Sequence, residues 1–525
     1  MRSKKGFLKL SPRCRLGLLV LVILYMSATV GCGGGASNPG ESATSRLAEG
    51  TVSATGNPLV AQYTISTPAQ ATVAVQFGPT ANYGFLTSPQ ASPAQGGAAV
   101  TVLVAGMKQN TLYHMQAIVT YKDGSQQWDI DHTFQTGSIP PARVPKMRVT
   151  TAPGGNPTPG VELLSLTPGP TAQLLALAVD PAGNIIWYCD YDGSLGIPQP
   201  IKLLSNGHML MVLYLVGSPG GTVQEVDLAC NVVRQFNYND LNQKLKGAGY
   251  SLQVYSIDHD IVSLPNGHLL LITTDSRVLT DLPGYPGQTT VLGNAIVDLD
   301  ANNNPVWVWD AFDHLDVNRH PMYFPDWTHA NALVYSADDG NLLLSMRHQS
   351  WVLKIDYQNG SGSGDVLWKL GYQGDFDLSS GLPSDWFYGQ HDANFASSNS
   401  TGDFQLALFD NGNYRILDSG GTTCGTTSPC YSAPSVFEVN ETTRTASRKW
   451  FFQTPYSFWG GVTRVLPNSN VFVDETTPLD LNLTGSRVME VTQNPTPTVV
   501  WQLEIDGQNS YRTIHLPSLY PEVQW

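Results

Sequence analysis

Between residues 51 and 137 apolar and polar positions alternate over short runs such as ATVAVQF, AAVTVLV, YHMQAIVTY and HTFQT, separated by turn-rich pieces. A period of two sends successive side chains to opposite faces of a strand, so this stretch predicts a small all-β domain. Residues 138–160, SIPPARVPKMRVTTAPGGNPTPG, are rich in Pro and Gly and predict a linker. From 161 to 525 the pattern repeats. One half of the unit is a polar turn between two strands, as in AVDPAGNIIW (178–187), EVDLACNVVR (225–234) and IVDLDANNNPVW (296–307), with later copies ending at Trp368, Trp450 and Trp501. The other half is an apolar strand entered through a turn, as in LSNGHMLMV, LPNGHLLLI, DDGNLLLSM, STGDFQLALF and LPNSNVFV. Six copies of the first half, spaced by roughly 40 to 70 residues, predict a six-bladed β-propeller, with VELLSLTP supplying the strand that closes the ring.

The chain is organised around one of these hairpins, Asp326 to Asp356, DWTHANALVYSADDGNLLLSMRHQSWVLKID, in which Asp338, Asp339 and Gly340 form the turn. His329 and Asn331 lie two apart in an apparent strand and are expected on one face, with Arg347 on the returning strand. An imidazole, an amide and a guanidinium aimed into one space make a poor core but a good cradle for a tetrahedral oxyanion. His259 in DHDIVSL and His391 in GQHDANF precede the apolar strands of their own repeats, as His329 does. In a ring of blades, equivalent positions meet at the axis, so these residues are expected to share one site. His268, His314, His320, His348 and His515 read as structural, and strict alternation would turn His348 away from Arg347.

Charge and cysteine content narrow the partners. A net charge of −14 excludes nucleic acid as the natural ligand and requires any anion site to be built from local cations. Arg2, Lys4, Lys5, Lys9, Arg13 and Arg15 followed by an apolar run over 16–26 form an export signal ending at residue 31. Cys32 then stands where a bacterial lipoprotein is lipidated, ahead of a tether over 32–50, which makes a membrane anchor in the periplasm or cell envelope the expectation, with simple secretion after cleavage as the alternative. Cys424 and Cys430 are the expected disulfide; Cys189 and Cys230 either pair or stay as thiols. No spacing suggests a structural zinc site.

The segment MKQNTLYHMQAIV with the terminal FQTG resembles a fibronectin type III sandwich. The larger region, with DWTHANALVYSADDGNLLLSMRHQSWVLKID, LWKLG, GQHDANF followed by FDNG, and YRTIHLPSLYP, resembles the bacterial arylsulfotransferase family. That resemblance implies a six-bladed propeller, needing no PAPS or other cofactor, that moves a sulfuryl group from an aryl sulfate donor to a phenolic acceptor. It implies His391 as the nucleophile, His329, Asn331 and Arg347 as ligands of the sulfuryl oxygens, and His259 as a further ligand or proton carrier. Tyr323, Trp327, Trp386, Phe387 and Trp459 are candidates to hold the aryl ring. A homodimer is compatible with this reading. Two alternatives stand beside it: a non-catalytic binding module, and a metal-dependent hydrolase using His259, His329 and His391 as ligands.

Overall fold

In the computed structural model, residues 47–525 are described, except 69, 94–96, 170–172 and 427. The export signal, Cys32 and most of the tether therefore lie outside the described residues. Residues Leu47–Trp525 form one compact unit, built almost wholly of antiparallel strands in eight sheets. No helix among the described residues is long and apolar enough to cross a membrane.

The first two sheets hold the 51–137 region and pack face to face. Strands Ala61–Ser66 and Ala99–Val104 pair in one, and Thr72–Gly78 and Leu112–Thr120 in the other. Each shows the alternation expected of a strand with one face in a core, for instance Val73, Val75 and Phe77 buried between half-exposed neighbours. This core does not end at residue 137. Val60, Met107 and Tyr113 share one apolar cluster with Trp187, Met209 and Leu213 of the larger region.

The remaining six sheets follow one another along the chain. Four have Ile197–Leu203, Val254–Ser263, Ala330–Tyr335 and His391–Phe395 at their inner edge, each followed by the next three strands of the chain, and in the last Asp377–Leu378 also joins the outer strand Thr445–Phe451 in parallel. The other two are completed by distant segments. Ser510–Leu516 pairs with Val161–Leu166, joining the end of the chain to the start of the larger region as the VELLSLTP reading required. Lys146–Thr151 pairs with Val499–Asp506. The expected linker over 138–160 is thus corrected: its MRVTT core alternates and is β-branched, and it supplies an edge strand between the proline-rich ends. The inner strands lie against one another in order, and Ile197–Leu203 also meets Ser510–Leu516.

Where the inner strands converge, a belt of five ions and one main-chain carbonyl takes one group from each of six sheets. Lys202 pairs with Asp260 at 2.5 Å, Arg512 with Asp260 at 3.0 Å and with Asp392 at 3.6 Å, and Arg464 with Asp392 at 2.7 Å. Arg512 also donates to the Asn331 carbonyl at 2.7 Å. Asp260 would be raised by burial, yet Lys202 and Arg512 hold it down to about 2.

Both cysteine pairs are disulfides, Cys189–Cys230 and Cys424–Cys430, which fits an oxidising compartment. Cys189–Cys230 spans 41 residues and ties two neighbouring sheets. Replacing both by Ser is expected to cost about 3 to 4 kcal/mol of stability by the loop-closure relation. A lowered denaturant midpoint, with the slope raised because the unfolded chain loses its cross-link, checks this.

Candidate active site

At the convergence of the inner strands lies a cavity of about 770 Å³, whose wall includes His259, His329, Arg347, His348, His391 and Tyr511. The histidines reach it because the strands carrying them are irregular. Register shifts fall between Ile257 and Ile261, between Ala330 and Ala332, and between His391 and Asn394. Positive φ accompanies each, +60° at His259, +48° at His329 and +51° at Asp392. Bulges of this kind re-aim a side chain out of the pleat, and left-handed backbone at non-glycine residues is stored where function holds it.

The same irregularity corrects the expected pairing of His329 with Asn331. His329 precedes its strand in left-handed conformation, so the two do not share a face. Asn331 is fully buried behind the wall and its amide donates to the Gln390 carbonyl at 2.7 Å. It touches the backbone just before His391 rather than the cavity. Arg347 is corrected as well. The strand ends at Met346, and Arg347–Gln349 form a short helical turn, so Arg347 and His348 both face the cavity. His348 therefore belongs to the site, because alternation lapses where the strand stops.

Hydrogen bonds assign the tautomers. The Asn411 amide nitrogen donates to the carbonyls of Ser457 at 2.8 Å and Gly460 at 2.9 Å, leaving its oxygen to face His391 Nδ1 at 2.7 Å. Nδ1 must carry the proton and Nε2 the lone pair, which meets only the Gly460 N–H at 3.2 Å. Burial first, and then the positive charge of Arg347, hold the His391 pKa well below its ordinary value. The ring is thus neutral near pH 7, with a basic nitrogen in the cavity.

Asp326 organises the facing wall. Its carboxylate accepts from His329 Nδ1 at 2.6 Å, and its carbonyl from His348 Nδ1 at 2.6 Å. Burial would raise this carboxyl, but His329, His348 and His259 hold it far below the usual range. His259 Nδ1 lies 2.7 Å from Asp258 Oδ1, and Asp258 also accepts from Thr274 at 2.8 Å and from Ser256. The rings of His259 and His329 are 4.7 Å apart, and those of His329 and His348 4.4 Å. Arg347 donates to His348 Nε2 and to the Phe458 carbonyl, both at 2.9 Å, while its buried Nε–H has no partner. Phe458 and Gly460 flank Trp459, so one short segment touches both Arg347 and His391.

Of the aromatic candidates, Tyr323 and Trp459 line the cavity with Tyr214, Phe458 and Tyr511. Trp327, Trp386 and Phe387 do not. They are buried in apolar clusters, where packing and not ligand claims them.

Residues 168–512 match the family described as arylsulfotransferase (ASST). The chain belongs to the arylsulfotransferase family. Among curated proteins none matches the chain. Of solved structures, a putative 6-phosphogluconolactonase from Bacteroides uniformis is 10% identical over 68% of this chain and 99% of its own, with a TM-score of 0.36. A cobalt-substituted ACO from Synechocystis is 11% identical over 87% of this chain and 96% of its own, at 0.31. Likenesses this slight support no transfer of activity. Family membership does: it makes the protein a sulfotransferase of aryl substrates, with an aryl sulfate and a phenol as its small molecules.

The hydrolase alternative required His259, His329 and His391 to converge on a metal, and among the described residues these three form no such group. Asp326, His329 and His348 do offer ligand atoms within 4.8 Å of one another. His329 Nδ1 is bonded to the Asp326 carboxylate and His348 Nδ1 to the Asp326 main-chain carbonyl, and Arg347 stands 2.9 Å from the remaining nitrogen of His348. A guanidinium there disfavours a cation and favours an anion.

Proposed function

We propose that the arylsulfotransferase works by a ping-pong reaction through a sulfated His391, without PAPS, inside a six-bladed propeller that follows a fibronectin type III-like sandwich. The supporting observation is the fixed lone pair of His391 Nε2 in a cavity that also holds the uncompensated charge of Arg347. In the first half-reaction Nε2 attacks the sulfur of an aryl sulfate; the N–S bond forms, the S–O ester bond breaks, and its electron pair leaves on the phenolate. In the second, an acceptor phenol oxygen attacks the same sulfur, and the N–S pair returns to Nε2. His259, which Asp258 orients, gives a proton to the departing phenolate in the first half-reaction and takes one from the acceptor phenol in the second. Arg347, His329 and the Gly460 N–H bear the charge on the sulfuryl oxygens. Once Nε2 is sulfated, the Nδ1–H bond to Asn411 stabilises the cationic ring. Tyr323, Trp459 and Tyr511 provide aromatic surface for the aryl group. Export, and lipid attachment at Cys32, complete the proposal.

Purified protein given an aryl sulfate and a phenol is expected to form the new sulfate ester, with intersecting lines replaced by parallel ones in double-reciprocal plots. A binding module would release no phenolate, and release that proceeds without ester formation would make the protein a hydrolase.

The depressed pKa of His391 has a sign that can be checked. Its neutral form attacks, so the phenolate burst in the absence of acceptor should be constant as pH falls to 6.5, where an ordinary imidazole is half lost. The fall comes only at lower pH. A burst that halves at 6.5 would place the nucleophile elsewhere.

A further inference from the structure

Among the basic side chains at the centre of the molecule, Arg347 is held differently from the rest. Arg512, Arg464 and Lys202 each pair with an aspartate, and Arg415, behind the Asn411 segment, pairs with Asp410 at 2.8 Å. Arg347 is 7% exposed, more deeply buried than Arg464 or Lys202, yet no carboxylate bonds to it among the described residues. Its two terminal nitrogens rest on neutral acceptors, the Phe458 carbonyl and His348 Nε2.

The second acceptor is an imidazole whose state is dictated by its other side. His348 is 2% exposed. Its Nδ1 faces the Asp326 carbonyl at 2.6 Å, and a carbonyl only accepts, so Nδ1 carries the proton. Nε2 must then present its lone pair, and it does so to Arg347 Nη1. Stacking on His329 at 4.4 Å and packing against Tyr323 at 5.0 Å leave the ring no other orientation.

We propose that His348 is a positioning residue for Arg347: as a neutral acceptor anchored on the Asp326 carbonyl, it aims the guanidinium at the sulfuryl group while leaving its charge unneutralised. A carboxylate in this place would hold Arg347 more tightly and cancel the charge that the transferring oxygens need. A carbonyl alone, as at Phe458, would leave the fork free to swing. The inference rests on the sulfotransfer reading for its kinetic consequence, but its core, an anion site aimed by His348, is open to measurement without turnover.

Two isosteres separate aiming from mere support. In His348→Asn the amide nitrogen reproduces Nδ1–H and keeps the Asp326 carbonyl satisfied, but nothing reaches Arg347. In His348→Gln the longer side chain reaches the position of Nε2, and its amide oxygen can accept from Arg347. For His348→Asn, the donor kcat/KM and the affinity for inorganic sulfate are each expected to fall about 10- to 100-fold, the worth of one hydrogen bond to a charged group, with the acceptor KM unchanged. For His348→Gln both should stay within about threefold of the parent, less than half the free energy of one such bond. Thermal unfolding identifies a variant that has failed to fold; should Asn do so, His348→Gln with native sulfate affinity still supports the inference. Native sulfate affinity in His348→Asn overturns it, as does an equal loss in a folded His348→Gln. If the parent binds sulfate but transfers none, the sulfotransfer reading fails while this comparison stands.

Discussion

Replacing His391 by Ala is expected to lower sulfotransfer by about 10⁴-fold or more, the scale on which a covalent nucleophile is missed. The size follows from the step lost: the bond to sulfur forms at His391 Nε2, and the other imidazoles of the site are held by partners of their own. His329 is bonded through Nδ1 to Asp326, His348 is bound at both nitrogens, and His259 faces Asp258. Brief exposure of the parent to an aryl sulfate without acceptor should leave one sulfuryl group on the chain. Mass spectrometry of the digested protein should place it on the peptide containing His391. A phenol should remove it, and His391→Ala should never acquire it. An adduct on a different residue, or turnover with no adduct at any time, would falsify the sulfohistidine step.

For Arg347→Met the expected loss in the donor kcat/KM is about 10²- to 10³-fold, typical of removing one charged stabiliser of a developing oxyanion. Met keeps the length of the stem, so the loss reports charge and hydrogen bonding more than volume. A second signature distinguishes this from damage to the fold. Arg347 is one of the groups that depress the His391 pKa, after burial itself. Removing the cation stabilises the protonated ring, and the pKa rises toward the ordinary value. The acid limb of the burst rate must therefore move to higher pH in Arg347→Met. A uniform loss at every pH would mean that the guanidinium does not sense the nucleophile.

Much of this was legible before any coordinates. The alternating runs, the six copies of the turn-and-strand unit and the ordered motifs led to an all-β chain and to its family. They also brought His259, His329, Arg347 and His391 to one cavity. What escaped was local and has a common cause. Period-two reasoning assumes a regular strand, and the site is built where strands break. Left-handed backbone at His329 separates it from Asn331, and the turn beginning at Arg347 brings His348 inside. Asn411 stood in the FDNG motif with no hint of a role, since only its contacts with Ser457 and Gly460 reveal that its oxygen must face His391. The strand Lys146–Thr151 was hidden by its prolines, although its partner Val499–Asp506 carried an unfilled edge.

The strand Ser510–Leu516 gives the arrangement a temporal side. Tyr511 lines the cavity and Arg512 joins Asp260 to Asp392, directly beneath His259 and His391. A polypeptide made from its amino terminus acquires these two residues after every imidazole of the centre has already emerged. Until they arrive, two aspartates lack the cation that binds them together, and the floor of the cavity is open. Truncation ahead of Ser510 should then silence catalysis while leaving Arg347 and every imidazole of the centre in the chain.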